Sequence, residues 1–124
     1  MMDAIQFNTM PSLYWDDHVK ISYIQRRIIV YSIMYYENNE SCVSDAYYDH
    51  LSQQLVRLQS SVEESEFKKS TYYYAMHDFD GSTGFHLPSR LNKKDRTWLD
   101  RIALMVYDQW KRENNYEQRK EALR

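Results

Sequence analysis

Glycine and proline interrupt helices more than any other residues, and this chain of 124 residues holds only 2 of each. Long helices are therefore favoured wherever apolar residues fall at helical spacing. Ile21, Ile24, Ile28, Tyr31 and Tyr35 recur every three or four positions, and Ile29, Val30, Ile33 and Met34 widen the stripe. A helix this apolar belongs at the centre of the fold, with neighbours on several sides. Lys20, Arg26 and Arg27 are expected on its wetter flank, and Ser12 or Asp16 is placed to cap its start.

The pattern stops at Asn38, Asn39, Glu40 and Ser41, whose side chains compete for backbone hydrogen bonds and favour a turn. Ser44 is a good N-cap for a second helix, with Asp45 in the first turn, where the helix dipole favours a carboxylate. Tyr48, Leu51, Leu55 and Leu58 then share a face. A short helix is expected around Glu63 to Lys69. Both glycines lie in the following DFDGSTGFHLP stretch, read as a structured loop: Ser82 and Thr83 cap the next element, and Phe85 and Leu87 plug the core. Asn92 opens the last helix, with Asp95 three residues on in a near capping box. Trp98, Ile102, Met105, Val106 and Trp110 are its expected buried face. Residues 1–12 read as an arm and residues 112–124 as a polar, fraying end of a single domain. The expected fold is mostly α: a helix–loop–helix corner, a long C-terminal helix, and between them a short helix or a minor irregular strand pair.

Composition narrows the function. A net charge of −2 argues against a broad basic nucleic-acid surface. No apolar run is long enough to span a bilayer, and the N-terminal residues lack the basic-then-apolar order of a secretion signal. The single cysteine, Cys42, cannot form an internal disulfide, which fits a reducing, cytoplasmic setting. The 12 tyrosines each offer an apolar face with a polar tip, suited to packing seams or to a binding surface. Calcium is disfavoured at DFDGSTG, where Gly81 comes too early and Ser89 stands at the position of the closing acid of an EF-hand. His18, His50, His77 and His86 are scattered, so no metal site is expected. Nor does any nucleophile stand beside an acid–base pair, so no enzyme activity is expected.

The densest chemistry lies in Tyr35-Tyr36, a loop, and Asp45-Ala46-Tyr47-Tyr48-Asp49. Rings and carboxylates at one corner suit a flat, cationic or hydroxyl-rich ligand. The stretch from Arg27 to Leu55 resembles the small N-terminal domain, domain Ia, of bacterial NAD-dependent DNA ligases. There a Tyr-Tyr or Tyr-His pair is followed, after about ten residues, by an Asp-Ala-x-Tyr-Asp motif and then by leucines. The resemblance implies a stand-alone, decorated relative of that domain that binds NAD or nicotinamide mononucleotide and needs no other cofactor. Tyr35 and Tyr48 would wall the nicotinamide ring, Tyr36 would reach the phosphate or ribose, and Asp45 and Asp49 would meet ribose hydroxyls or the cationic ring. The nucleotidyltransferase part is missing: the only Asp-Gly is Asp80-Gly81, and Asp78 stands where the ligase nucleophile would be lysine. Two alternatives stay open. The corner can be a retained structural feature, or the chain can be a phage or mobile-element inhibitor or adaptor that binds a host replication, repair or defence protein. Tyr72, Tyr73, Tyr74 and Trp110 are the expected contact residues for such a partner.

Overall fold

The computed structural model describes the backbone of residues 14–122 and the side chains of residues 14–114. The expected arm over residues 1–12, the proposed Ser12 cap and the side chains of residues 115–124 lie outside the described residues. Six helices follow in order: α1 Asp17–Ser32, α2 Asp45–Ser61, α3 Glu64–Lys68, α4 Tyr73–Met76, α5 Leu87–Arg90 and α6 Lys93–Ala122. A π-helical turn, Ile33–Glu37, extends α1. The fold is mostly α as expected, and no strand occurs among the described residues, so the optional strand pair is replaced by α4, α5 and their connecting loop.

Helix α1 is the central element. It packs against α2, α3, α5 and α6, and from Tyr23 to Ser32 every residue except Arg26 is buried. Ile21, Ile24, Ile28 and Ile29 are sealed from solvent, each contributing about 1.5–3 kcal/mol by burial. Leu51 and Leu55 of α2, Tyr72, Ala75, Met76, Phe79 and Leu87 of the middle segment, and Leu99, Ile102, Ala103 and Val106 of α6 join them in the core. The buried stripe of α6 therefore runs through Leu99 and Ala103. Trp98 and Met105 are half-buried and Trp110 is exposed, against expectation. Trp98 and Met105 flank the stripe, whereas Trp110 continues it one turn beyond Val106, the last buried residue of α6 among the described side chains.

Arg27 corrects a second expectation. It is 1% exposed, and its guanidinium lies 5.6–6.0 Å from the ring centroids of Tyr23, Tyr31 and Tyr47. It also donates a short hydrogen bond to the Tyr47 hydroxyl. Tyr23 and Tyr31 stand four residues to either side on the same helix, so the rings fold over the cation.

A buried amide network ties the middle segment to α1. Gln25 Nε2 donates to Gln59 Oε1 at 3.0 Å and to Ser70 Oγ at 3.2 Å, while Gln25 Oε1 accepts the Tyr72 amide at 3.1 Å. Gln59 Nε2 in turn donates to the Met76 carbonyl at 3.3 Å. This network draws Tyr72 inward, leaving it 4% exposed.

The start of α6 carries the expected cap with one addition. The Asp95 amide donates to Asn92 Oδ1 at 2.8 Å. The return bond of a capping box passes through Tyr74: the Asn92 amide donates to the Tyr74 hydroxyl at 3.2 Å, which donates to Asp95 Oδ2 at 2.5 Å. Burial and this acceptor push the Tyr74 phenol up to about 12.

Candidate functional site

The corner is built by an unusual helix end. In the π turn the Asn38 amide donates to the Ile33 carbonyl at 3.1 Å, five residues back, and the Glu40 amide donates to the Met34 carbonyl at 2.8 Å. Asn39 closes the turn with φ +52°, the left-handed conformation that asparagine tolerates better than most residues. The closure thus resembles a left-handed helix cap widened by one residue. Its effect is to present both Tyr35 and Tyr36 to solvent, 53% and 37% exposed, while Ile33 and Met34 stay in the core. Arg96 of α6 anchors the far end of the turn by pairing with Glu37, and it also bonds Asp100 at 3.0 Å.

The other side of the corner is the first turns of α2. Ser44 caps it as expected, accepting the Tyr47 amide at 3.1 Å. Asp45 and Asp49 stand one helical turn apart on the exposed face. Tyr48 points inward, and its hydroxyl lies 2.9 Å from Ser32 Oγ.

These elements enclose a hollow of about 260 Å³. All five ligand-binding residues singled out in the sequence, Tyr35, Tyr36, Asp45, Tyr48 and Asp49, line it. Sequence reasoning missed Tyr31, Met34, Cys42 and Ser82, which line it as well. Tyr31 lies one helical turn before Tyr35, so the helical period carried that signal. Ser82 arrives through the glycine loop, which no local pattern could connect to the corner.

The Tyr35 and Tyr36 rings meet edge to face, with centroids 4.8 Å apart and planes at 86°, making two adjoining walls. Phe85 continues the row, 5.5 Å from Tyr36 and 59% exposed. It therefore does not plug the core as expected. Thr83 explains why: its Oγ1 accepts the Phe85 amide at 3.2 Å and bonds the Tyr36 hydroxyl at 3.1 Å, turning the loop outward, and Leu87 alone enters the core. Ser82 turns back to Asp80 rather than capping α5, and that helix has no side-chain cap.

Burial raises the Tyr31 and Tyr48 phenols above their ordinary range and pushes the Cys42 thiol up to about 11. These groups therefore stay neutral at neutral pH. Asp45 and Asp49 bring the only carboxylates to the lining, and none of the lining residues is basic.

The expected partner surface does not assemble. Tyr72 is in the core, bound to Gln25, and Tyr73 packs against Phe67 at 4.8 Å. Of the three tyrosines Tyr74 alone is exposed, and its hydroxyl is bound to Asp95. Trp110 stands fifteen residues further along α6, about 22 Å away. It lines a second hollow of about 300 Å³ with Arg27 and Tyr47, which shares Tyr31, Cys42 and Val43 with the first.

Among the described residues there is no group of three or more side chains suited to hold a metal ion, and no helix is long and apolar enough to cross a membrane. Comparisons with protein-family models, curated proteins and solved structures find no match.

Proposed function

We propose that this protein is a non-catalytic binding module whose tyrosine–aspartate hollow takes a nicotinamide-type nucleotide, as its resemblance to the ligase domain Ia implies. The observation that carries this reading is the meeting of Tyr35, Tyr36, Asp45, Tyr48 and Asp49 around one hollow, from two helices and across a loop. The volume supports a partial ligand. At about 260 Å³ the hollow lies just under the range of about 300–1,000 Å³ typical of small-molecule sites, so it suits the nicotinamide half rather than a whole dinucleotide. Rings at right angles give a flat ligand a face and an edge to rest on, and carboxylates accept ribose hydroxyls.

The test is calorimetric titration of the full chain with nicotinamide mononucleotide. Saturable heat at millimolar ligand is expected, lost when Tyr35→Ala is combined with Asp49→Ala. Both side chains are exposed, so the fold is retained. Absence of heat in the parent protein removes the reading.

A second reading is favoured by one observation. Tyr35, Tyr36 and Phe85 form a continuous exposed aromatic row, the composition of an interface anchor. In that reading the chain is an inhibitor or adaptor for a host protein, and this row replaces Tyr72–Tyr74 as the contact. A stoichiometric partner lost on Phe85→Ala would favour it.

A further inference from the structure

The lining of the hollow carries information about charge as well as shape. Four tyrosines, Tyr31, Tyr35, Tyr36 and Tyr48, face one space together with the carboxylates of Asp45 and Asp49. The Tyr35 and Tyr36 rings stand nearly perpendicular, as adjoining sides of a box do. Aromatic faces carry negative potential and attract cations, and carboxylates add to the same sign. No lysine, arginine or histidine lines the hollow. Of the nearby cations, Arg96 holds Glu37 and Asp100, while Arg27 lies 6.0 Å from the Tyr31 ring centroid and lines the adjoining hollow, so a bound cation would rest on Tyr35, Tyr36 and Tyr48.

A phosphate would therefore find no cationic side chain there, only the N-terminus of α2, whose first turn Asp45 already occupies with a carboxylate. Tyr36, the residue expected to reach phosphate or ribose, has its hydroxyl bonded to Thr83 Oγ1 at 3.1 Å. Ser44 Oγ accepts the Tyr47 amide as the cap of α2, which leaves its hydroxyl proton as a single neutral donor at the lining. A dianion set beside Asp45 and Asp49 would meet like charge instead.

We infer that the hollow is a cation cage, selective for a permanently charged, unphosphorylated head group, of which the oxidised pyridinium of a nicotinamide riboside is the leading case. The inference rests on the reading of this hollow as a ligand site and departs from it on one point: the riboside, not the mononucleotide, is the better ligand. A reduced, uncharged dihydronicotinamide has the same outline without the charge, so the cage rejects it.

The experiment is a titration of the full chain with four probes: nicotinamide riboside, nicotinamide mononucleotide, reduced nicotinamide riboside and 1-methylnicotinamide. The oxidised riboside and 1-methylnicotinamide are expected to bind. The mononucleotide should be weaker than the riboside, and the reduced riboside weaker by about tenfold or more, the scale of a cation–aromatic contact. Asp45→Asn with Asp49→Asn, both on the exposed face of α2, should weaken the oxidised riboside and narrow its gap to the reduced form. Equal binding of the oxidised and reduced ribosides, or tighter binding of the mononucleotide, would overturn the charge selection while leaving the nicotinamide reading intact. Binding of 1-methylnicotinamide alone, with neither nucleoside form taken up, would uphold the cage and remove the nucleotide reading. Silence from all four probes would remove both.

Discussion

The hydroxyl of Tyr48 donates its proton to Ser32 Oγ, 2.9 Å away. The direction follows from counting protons: the single hydroxyl proton of Ser32 already goes to the Ile28 carbonyl at 2.8 Å, so only the phenol has one to give. This bond locks the inner wall of the hollow to the buried end of α1. Gly84 covers it so closely that a β-carbon there would collide with both oxygens.

Replacing Gly84 with alanine should therefore break the pair. The expected loss of stability is about 1–3 kcal/mol, the usual range for overpacking. Tyr48→Phe removes only the hydrogen bond and should cost about 1 kcal/mol. Urea unfolding followed by circular dichroism would rank the two, and a Gly84→Ala protein as stable as the parent would contradict the close approach.

Arg27→Lys should destabilise the fold even though the charge is kept. Lysine offers a compact ammonium rather than a plane, so it cannot lie against Tyr23, Tyr31 and Tyr47 together while bonding the Tyr47 hydroxyl. A loss of about 1–2 kcal/mol is expected. A double-mutant cycle with Tyr47→Phe would show strong coupling if the geometry is as described.

Acid should loosen the joint between α1 and α3. His18 Nδ1 bonds Glu66 Oε2 at 2.9 Å, and Lys69 bonds the other oxygen at 3.0 Å. The His18 ring, then Lys69, hold the Glu66 carboxyl down at about 2, against an ordinary 4.5. A carboxyl with a lowered folded-state pKa stabilises the fold above its unfolded value. That contribution declines as pH falls from about 4.5 towards 2. Glu66→Gln should flatten the dependence of the urea midpoint on pH across this window, and an unchanged slope would show that the carboxyl is not coupled to folding.

Cys42 should react slowly. With its thiol near 11, only about one molecule in a thousand is thiolate at pH 8, and the greater basicity of that thiolate recovers part of the difference. Alkylation by iodoacetamide should be at least about tenfold slower than that of free cysteine and should accelerate as pH approaches 11. Because Cys42 lines the hollow, a bound ligand should slow it further.

What could be read in the residues was what depends on local period and local chemistry. The isoleucine stripe of α1, the Ser44 cap and the Asn92–Asp95 cap arise from neighbours a few positions apart, and the grouping of Tyr35 with Tyr48, thirteen residues on across a loop, from the spacing of the motif. The misreadings have a common cause in contacts made across the chain. Arg27 looked like a solvated charge because its cage needs Tyr47, twenty residues on. Tyr72 looked available because its anchor, Gln25, lies 47 residues away. The apolarity of Phe85 predicts a core position, but Thr83 bonding to Tyr36 turns it out. The π turn leaves no composition signal at all, since one surplus residue in a helix end is decided by packing.

That surplus residue sets the phase of everything beyond it. Each residue advances an α-helix by about 100°, so excising Tyr36 would rewind the turn and take one aromatic wall out of the hollow. The isoleucine core behind it ends at Met34 and would be untouched. Whatever the hollow holds is thus separable from folding by the loss of one codon, and a shortened protein of this kind would be stable and empty-handed.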